Sequence, residues 1–202
     1  MTVYHNFSEL ARNETAGHDF VIDYRHTGSA IAILAPHGGR IEPGTTPIAR
    51  ALAGDEHNYY SFTGIKSQDN RDLHLTSNAF DEPQALATAA RAEVAITIHG
   101  LNGSKPRVLI GGRNHQLQIA IRTSLTAAGF SAEISDVPGL RGASPTNICN
   151  RCISEKGVQL EISRGLREQL LAGLAQNGEG TPTAVFSVFI MALRKAIAPF
   201  MM

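Results

Sequence analysis

The sequence predicts an α/β fold in which a mostly parallel β-sheet carries helices on both faces. Residues 29–35 (SAIAILA) and 93–99 (EVAITIH) form apolar runs that are typical of strands buried on both faces of a parallel sheet. Strand-like runs alternate with helical patterns along the chain, as they do in βαβ units. The 202 residues fall within the usual size of one domain, so we expect residues 1–202 to form a single domain.

Local patterns place the individual elements in chain order. Thr46 suits the N-cap of a short helix that has Pro47 at its first position. Apolar residues recur at helical spacing over 114–128, and Gly129 ends that helix. The predicted strands are 18–25, 29–35, 58–62, 73–77, 93–99, 107–112, 130–135 and 157–163. The predicted helices are 46–53, 83–91, 114–128 and 182–198, and residues 136–152 are predicted to form a loop rich in Gly and Pro.

The composition limits the partners that this chain is expected to bind. The 18 basic and 18 acidic side chains give a net charge of zero, and no basic run occurs. Nucleic-acid binding depends on neutralising phosphates, so we expect no nucleic-acid partner. No run approaches the roughly 18 apolar residues of a membrane span, so we expect no membrane partner. The N-terminal MTVYHNFSELARNE lacks a signal-peptide pattern, which favours a cytoplasmic protein, and we expect a monomer.

The two cysteines, Cys149 and Cys152, form a lone C-x-x-C motif in NICNRCIS. A structural zinc site would need further ligands, and a thioredoxin-like motif would stand at a helix start near the beginning of a βαβ unit. This motif lies late in the chain and in a loop-like stretch. The context favours two reduced, partly buried thiols over a reversible disulfide.

Three polar residues fall at or near the carboxyl ends of strand-like runs. His37 follows AIAILAP, His99 ends VAITI, and Glu161 lies near the end of GVQLE. Ligands in open α/β sheets bind beyond the carboxyl ends of the strands, and adjacent strands are only about 5 Å apart. If these strands are parallel, we expect the three side chains to emerge at one edge of the sheet.

The segment APHGGRIEPGT adds a fourth residue to this group. Two glycines follow His37 and allow a sharp turn, so that Glu42 can fold back toward the same point. A catalytic zinc ion takes about three protein ligands from His and carboxylate side chains, and His37, Glu42 and His99 supply that set. Taken singly, each histidine is better explained as a hydrogen-bonded or exposed residue. Two histidines that each follow an apolar strand and precede a glycine leave a metal site and that ordinary explanation equally open.

Glu161 lies in GVQLEIS, where it alternates with apolar residues and therefore points to the opposite face from Leu160 and Ile162. A carboxylate beside a metal can take a proton from water and pass it to a leaving amine. An ordinary solvent-facing glutamate on an edge strand explains the same pattern, and the residues alone leave both readings open.

Several ordered motifs resemble one known family. APHGGRIEPGT, NRDLHLTS with FDEP, ITIHG and KGVQLEISRGLR together resemble the phage and bacterial poly-γ-glutamate hydrolases, over about residues 17–170. These are small zinc enzymes related to the carboxypeptidase-type metallopeptidases. The resemblance implies an open, twisted, mixed α/β sheet of carboxypeptidase-like type. It also implies an anionic poly-γ-glutamate substrate.

Carried onto this chain, the resemblance implies that His37, Glu42 and His99 bind Zn²⁺. It implies that Glu161 is the general base. The first His and the Glu are five residues apart here, whereas many carboxypeptidase-like enzymes space them three apart. This spacing excludes a simple match to aspartoacylase-type deacylases and favours the polyglutamate hydrolases.

A γ-linked glutamate chain presents free α-carboxylates, which arginine forks bind well. The arginines near the predicted site segments are Arg71, Arg113, Arg141, Arg151 and Arg164. We expect one or two of them to bind substrate, with the rest on the surface. His74 is expected either to line the cleft or to pack between two leucines. Asn147 is expected either to bind a substrate carboxylate or to cap a turn.

Two other functions fit the same sequence. One is a zinc amidase that acts on a different γ-glutamyl, peptidoglycan or N-acyl amino acid substrate. The other is a non-catalytic, phage-associated binding domain, against which the intact set of four candidate residues counts. A phage-encoded enzyme without a signal peptide would reach an external polymer after lysis.

Overall fold

The computed structural model describes residues 3–174 and 178–201, and within them a seven-stranded sheet in the order β1-β3-β2-β4-β7-β5-β6 forms the centre of the molecule. The strands span β1 Phe20–Arg25, β2 Ile31–Gly39, β3 Asn58–Gly64, β4 Val94–Leu101, β5 Val108–Gly112, β6 Ala132–Ile134 and β7 Val158–Ser163. A separate two-stranded ribbon pairs β8 (Leu171–Ala172) with β9 (Thr181–Pro182).

The four central strands, β3, β2, β4 and β7, are parallel to one another. At one side β1 pairs antiparallel with β3, and at the other side β5 pairs antiparallel with β7 while β6 runs parallel to β5. The sheet is therefore mixed and mostly parallel, which confirms the predicted α/β class. The carboxyl ends of β2, β4 and β7 meet at one edge of this sheet.

Helices cover both faces of the sheet, as predicted. The helices are α1 Phe7–Asn13, α2 Thr45–Ala53, α3 Pro83–Ala90, α4 His115–Ala127, α5 Arg164–Leu170 and α6 Ala184–Ile197. One apolar core packs α2, α4, α5 and α6 against the face that carries Ile33, Ile96 and Leu160. The second core packs α1 and α3 against the face that carries Leu34 and Ala95. In the described part of the chain, no helix is both long and apolar enough to cross a bilayer.

A tight turn after β2 positions the segment that carries Glu42. Gly39 has a φ of +62°, a left-handed conformation that favours glycine. The amide of Glu42 then donates to the carbonyl of His37 at 3.0 Å, so the chain folds back on the strand end as expected. Gly38 allows this turn to pack closely, because a Cβ there would lie 2.8 Å from Ser61 Oγ and 2.9 Å from the Phe62 carbonyl.

Two local predictions are wrong. Residues 73–77 do not form a strand, because Asn70–Leu73 is a 3₁₀ turn and the buried Leu73 and Leu75 cover a face of the sheet instead of pairing with it. Thr46 is not the N-cap of α2, whose cap is Gly44 with a φ of 95°. The Thr46 hydroxyl instead accepts a hydrogen bond from the amide of Gly39.

Other elements were absent from the sequence prediction. Helix α1 lies in the N-terminal segment, and α5 follows β7 directly with Ser163 as its N-cap. The predicted loop 136–152 contains two 3₁₀ turns, Pro138–Leu140 and Ile148–Asn150. Each of these pieces has seven residues or fewer, which is too short to show a clear periodicity.

We expect Gly38→Ala to lower the free energy of unfolding by about 1–3 kcal/mol, because the added methyl group would force the turn and β3 apart. Urea unfolding measures this change. Gly139→Ala is the matched control, since a Cβ there meets nothing within 4 Å and its φ is not positive. Equal stability of the two variants would contradict the close packing of the turn.

Candidate metal centre

The parallel strands bring the predicted residues together at one edge of the sheet. His99 of β4 and Glu161 of β7 are register partners across the ladder, so their side chains share a face. His37 lies near the end of the neighbouring β2, and the turn that follows brings Glu42 to the same point. The expectation that strand ends would assemble this group is therefore met by the geometry.

The side chains of His37, Glu42 and His99 converge on one point. The Nδ1 atoms of the two histidines lie 3.1 Å apart. The Glu42 carboxylate lies 3.4 Å from Nδ1 of His37 and 3.7 Å from Nδ1 of His99. All three potential ligand atoms lie within 4.8 Å of one another, and both histidines are buried. Two imidazoles and a carboxylate are the donor set of a catalytic zinc site with a position left for water.

Neighbouring groups fix the orientation of each candidate ligand. Nε2 of His37 donates to the carbonyl of Leu75 at 2.6 Å, which leaves Nδ1 as the nitrogen with a free lone pair. Nε2 of His99 lies 3.5 Å from the Ser77 hydroxyl. The amide of Gly100 donates to Glu42 Oε2 at 2.8 Å. The segment that follows the 3₁₀ turn at Asn70–Leu73 thus supplies partners for both histidines.

Burial and nearby charge shift the pKa values of the two buried histidines in opposite directions. Burial lowers the pKa of His37 to about 4, against the opposing effect of Glu42. Burial also acts to lower the pKa of His99, but hydrogen bonding to Glu42 and the charge of Glu161 raise it overall. Burial alone would raise the pKa of Glu42, but the facing histidines hold it well below its usual range. Glu42 is therefore ionised at neutral pH, as a metal ligand must be.

Glu161 lies on a central, buried strand and not on an edge strand. Only 8% of the residue is exposed, and burial raises the pKa of its carboxyl. Gln159 Nε2 donates to Glu161 Oε1 at 2.8 Å, and Asn147 Nδ2 donates to Gln159 Oε1 at 2.9 Å. The side chain of Asn147 also caps the 3₁₀ turn Ile148–Asn150, as the cap alternative expected.

These residues surround a cleft of about 450 Å³. Its lining includes the three candidate ligands, Glu161, and polar side chains from three loops: Thr76, Ser77, Asn78, Asn102 and Asn147. His74 also lines the cleft, where its ring stacks on His37 with centroids 3.9 Å apart. Nε2 of His74 lies 3.5 Å from Glu42 Oε1, so this histidine contacts one of the candidate metal ligands directly.

Among the described residues that line the cleft, none is one of the five predicted arginines, Arg71, Arg113, Arg141, Arg151 and Arg164. Arg113 lines a different cavity. Arg141 donates to the carbonyl of Asp136, and Arg164 pairs with Glu168 at 2.6 Å on the surface. The remaining two are exposed. Proximity in sequence to a site segment therefore did not bring these arginine side chains into the cleft. That they contact parts of a polymer lying outside the cleft stays a prediction.

Sequence reasoning missed Arg167, which is buried behind the site with 3% exposure. Its guanidinium donates to the carbonyls of Pro43, Leu101 and Ile162. These carbonyls belong to the three segments that carry Glu42, His99 and Glu161. Burial lowers the pKa of Arg167 to about 10, which still leaves it charged at neutral pH. Arg167 lies three residues after Arg164, and no sequence pattern indicates which of the two arginines is buried.

Cys149 and Cys152 are both free and buried. Burial raises the pKa of the Cys149 thiol, which makes it a poor nucleophile at neutral pH. Neither cysteine lines the cleft. The thiols are free, as expected, but they are fully rather than partly buried.

Comparison with known proteins places this geometry in a family. Residues 4–192 match the family model described as poly-gamma-glutamate hydrolase. YmaC of Bacillus subtilis (strain 168) is 37% identical over 194 residues, which cover 95% of this chain and 82% of YmaC. A solved structure of zinc-free, apo YndL superposes with a TM-score of 0.94 at 33% identity and covers 100% of both chains.

A solved bacteriophage poly-gamma-glutamate hydrolase is also similar, with a TM-score of 0.93 and 31% identity over 99% of this chain and 98% of the phage protein. The family match spans nearly the whole chain and agrees with the resemblance carried by the strand-end motifs. The chain belongs to the poly-gamma-glutamate hydrolase family.

Proposed function

We propose that this protein is a zinc-dependent hydrolase of the γ-glutamyl amide bonds in poly-γ-glutamate, with residues 1–202 as one hydrolase domain. The observation that carries the proposal is the convergence of His37, Glu42 and His99 beside the buried Glu161, in a chain of this family. A binding module has no need for a metal-ligand set that lies beside a buried carboxylate.

The residues present fit a zinc ion. The two Nδ1 atoms and the Glu42 carboxylate face one another, and each imidazole has a polar partner at its other nitrogen. Such outer partners are typical of metal-binding histidines. The solved YndL relative is described as a zinc-free apo form, which supports zinc as the metal in this proposal. When bound, zinc would polarise the scissile carbonyl and lower the pKa of a water molecule.

Glu161 then performs the proton transfers. Its Oε1 accepts from Gln159, so Oε2 is the oxygen free to take a proton from the attacking water. The same oxygen can deliver that proton to the departing nitrogen, which completes hydrolysis without a change in the net protonation of Glu161. Its position beside His99 in the sheet register supports a role for this carboxylate at the proposed metal centre.

The cleft binds its substrate mainly through neutral donors in this proposal. Asn78, Asn102 and Thr76 supply amide and hydroxyl groups that can donate to the α-carboxylates of the polymer. The His74 ring lies against His37 and is placed to contact the scissile carbonyl. The five predicted arginines remain candidates for binding polymer units that extend beyond the cleft.

We expect the zinc-loaded protein to shorten poly-γ-glutamate, as measured by gel filtration of the polymer, and the chelated protein to leave it intact. His99→Ala is expected to weaken zinc binding by about 100-fold or more and to abolish shortening, because it removes a ligand. His5→Ala, at an exposed position, is the control. A polymer that stays intact with zinc-loaded protein would contradict the substrate assignment.

Glu161→Gln is expected to lower turnover by about 100- to 10,000-fold, because the amide cannot take the proton. Its oxygen can still accept from Gln159, so we expect the fold and the zinc affinity to persist. Steady-state kinetics and a zinc titration measure the two quantities. Glu133→Gln, on the exposed edge strand β6, is the control. Near wild-type turnover of Glu161→Gln would rule out this residue as the base.

Arg167→Met is expected to weaken zinc binding by about 10- to 100-fold. The reason is that the guanidinium of Arg167, which donates to a carbonyl in each of the three site segments, would be lost. Competition with a fluorescent chelator measures the affinity. Arg164→Met is the matched control, since this arginine lies three residues away and pairs on the surface with Glu168. If both variants bind zinc equally well, Arg167 does not organise the site.

A further inference from the structure

Gln159 is a buried polar residue that the proposed chemistry does not itself require. It lies two residues before Glu161 on β7, so both side chains point to the same face of the sheet. Only 3% of Gln159 is exposed. A buried amide must find partners at both its oxygen and its nitrogen, because an unpaired polar group in the interior costs about 1–3 kcal/mol.

Both ends of the Gln159 amide have a specific side-chain partner. Its Nε2 donates to Glu161 Oε1 at 2.8 Å. Its Oε1 accepts from Asn147 Nδ2 at 2.9 Å. Since Asn147 can donate only through its nitrogen, this arrangement also fixes which end of the Gln159 amide faces Glu161. The result is a series of two hydrogen bonds, in which Asn147 donates to Gln159 and Gln159 donates to the Glu161 carboxylate.

The start of this chain is itself held in place. Asn147 Oδ1 accepts from the amide of Cys149 at 3.1 Å, and Asn147 is 4% exposed. Farther along the same turn, Asn150 Oδ1 accepts from the amide of Gly157, the residue just before β7. The turn that carries Asn147 is therefore tied by hydrogen bonds to the strand that carries Gln159.

Two glycines allow this turn and its flanking loop to lie over Gln159. Gly111 of β5 is the register partner of Gln159, and a Cβ on Gly111 would lie 2.5 Å from the carbonyl of Arg141. Gly142 has a φ of +58°, and a Cβ there would approach the Gln159 side chain to 3.2 Å. The loop therefore packs closely against Gln159, and only 3% of this residue is exposed.

We propose that Gln159, oriented by Asn147, is a positioning residue that holds Oε1 of Glu161 and so presents Oε2 to the reacting water. The catalytic step attributed to Glu161 rests on the proposed function. Asn147 is in this view a support for the base and not a substrate ligand. Its amide nitrogen and oxygen both already have partners within the protein.

The test variants remove the Asn147–Gln159 and Gln159–Glu161 hydrogen bonds together or one at a time. Gln159→Leu removes both. Gln159→Glu can still accept from Asn147 but, when ionised, cannot donate to Glu161. Asn147→Asp can still accept from Cys149 but, when ionised, cannot donate to Gln159. Gln118→Leu is the matched control, because Gln118 is a buried glutamine of α4 whose Nε2 donates to the carbonyl of Gly112, and it does not line the cleft.

We expect kcat of the zinc-loaded Gln159→Leu variant on poly-γ-glutamate to fall about 10- to 100-fold, with KM and zinc affinity changed less than about 3-fold. The Gln159→Glu and Asn147→Asp variants should lose kcat in the same way. In the Glu161→Gln background, Gln159→Leu should cause no further loss. Gln118→Leu should keep kcat even if its melting temperature falls as much as that of Gln159→Leu. Equal kcat values for Gln159→Leu and Gln118→Leu would overturn the proposal.

A measurement that does not depend on catalytic activity can test this inference independently of the proposed function. In a crystal structure of metal-free Gln159→Leu, we expect the Glu161 carboxylate to rotate or to occupy two positions, while His37, Glu42 and His99 superpose on the wild type. An unmoved Glu161 carboxylate would overturn the positioning role. If the wild type fails to cut the polymer, the proposed function fails, and this structural comparison still decides the role of Gln159.

Discussion

The parallel pairing of β2, β4 and β7 is the constraint on which the rest of the site depends. Parallel strands end at the same edge, so residues 62 positions apart in the chain, His37 and His99, bring their Nδ1 atoms within 3.1 Å. The antiparallel β5 then pairs with the outer side of β7. Its Gly111, opposite Gln159, leaves room for the loop that packs there. One sheet topology thus brings together the three candidate ligands, Glu161 and the strand that packs beside Glu161.

Assembling these residues brings charge into the interior, and the structure compensates for it locally. Glu42 is ionised among three imidazoles and also accepts from the amide of Gly100. Arg167 lies behind it and donates to three backbone carbonyls from the surrounding segments. A buried charge is tolerated only when it is paired and hydrogen-bonded. The hydrogen bonds of Arg167 also connect the backbone of the segments that carry Glu42, His99 and Glu161.

The sequence predicted what depends on strand ends, and it failed where long-range contacts decide. His37, His99 and Glu161 follow apolar runs, and the sheet rule alone predicts that they meet. The segment 73–77 alternates like a strand, but its leucines fill a core against the sheet and its Leu75 carbonyl orients His37. No local pattern separates the buried Arg167 from the partly exposed Arg164. The period-2 alternation puts Gln159 and Glu161 on one face of the strand, but neither their hydrogen bond nor the burial of Gln159 follows from it, because both depend on the packed loop.

The charge of the cleft links metal binding to the choice of substrate. Glu42 and Glu161 are the acidic residues that line it, and within the described ranges no lysine or arginine joins them there. A polyanion would meet repulsion from these carboxylates in a low-dielectric cleft. Under the proposed function, a divalent cation held by His37, Glu42 and His99 would offset up to two negative charges in this cleft. Under the proposed function, zinc therefore serves polymer binding as well as hydrolysis, and arginines outside the cleft act on more distant units of the chain.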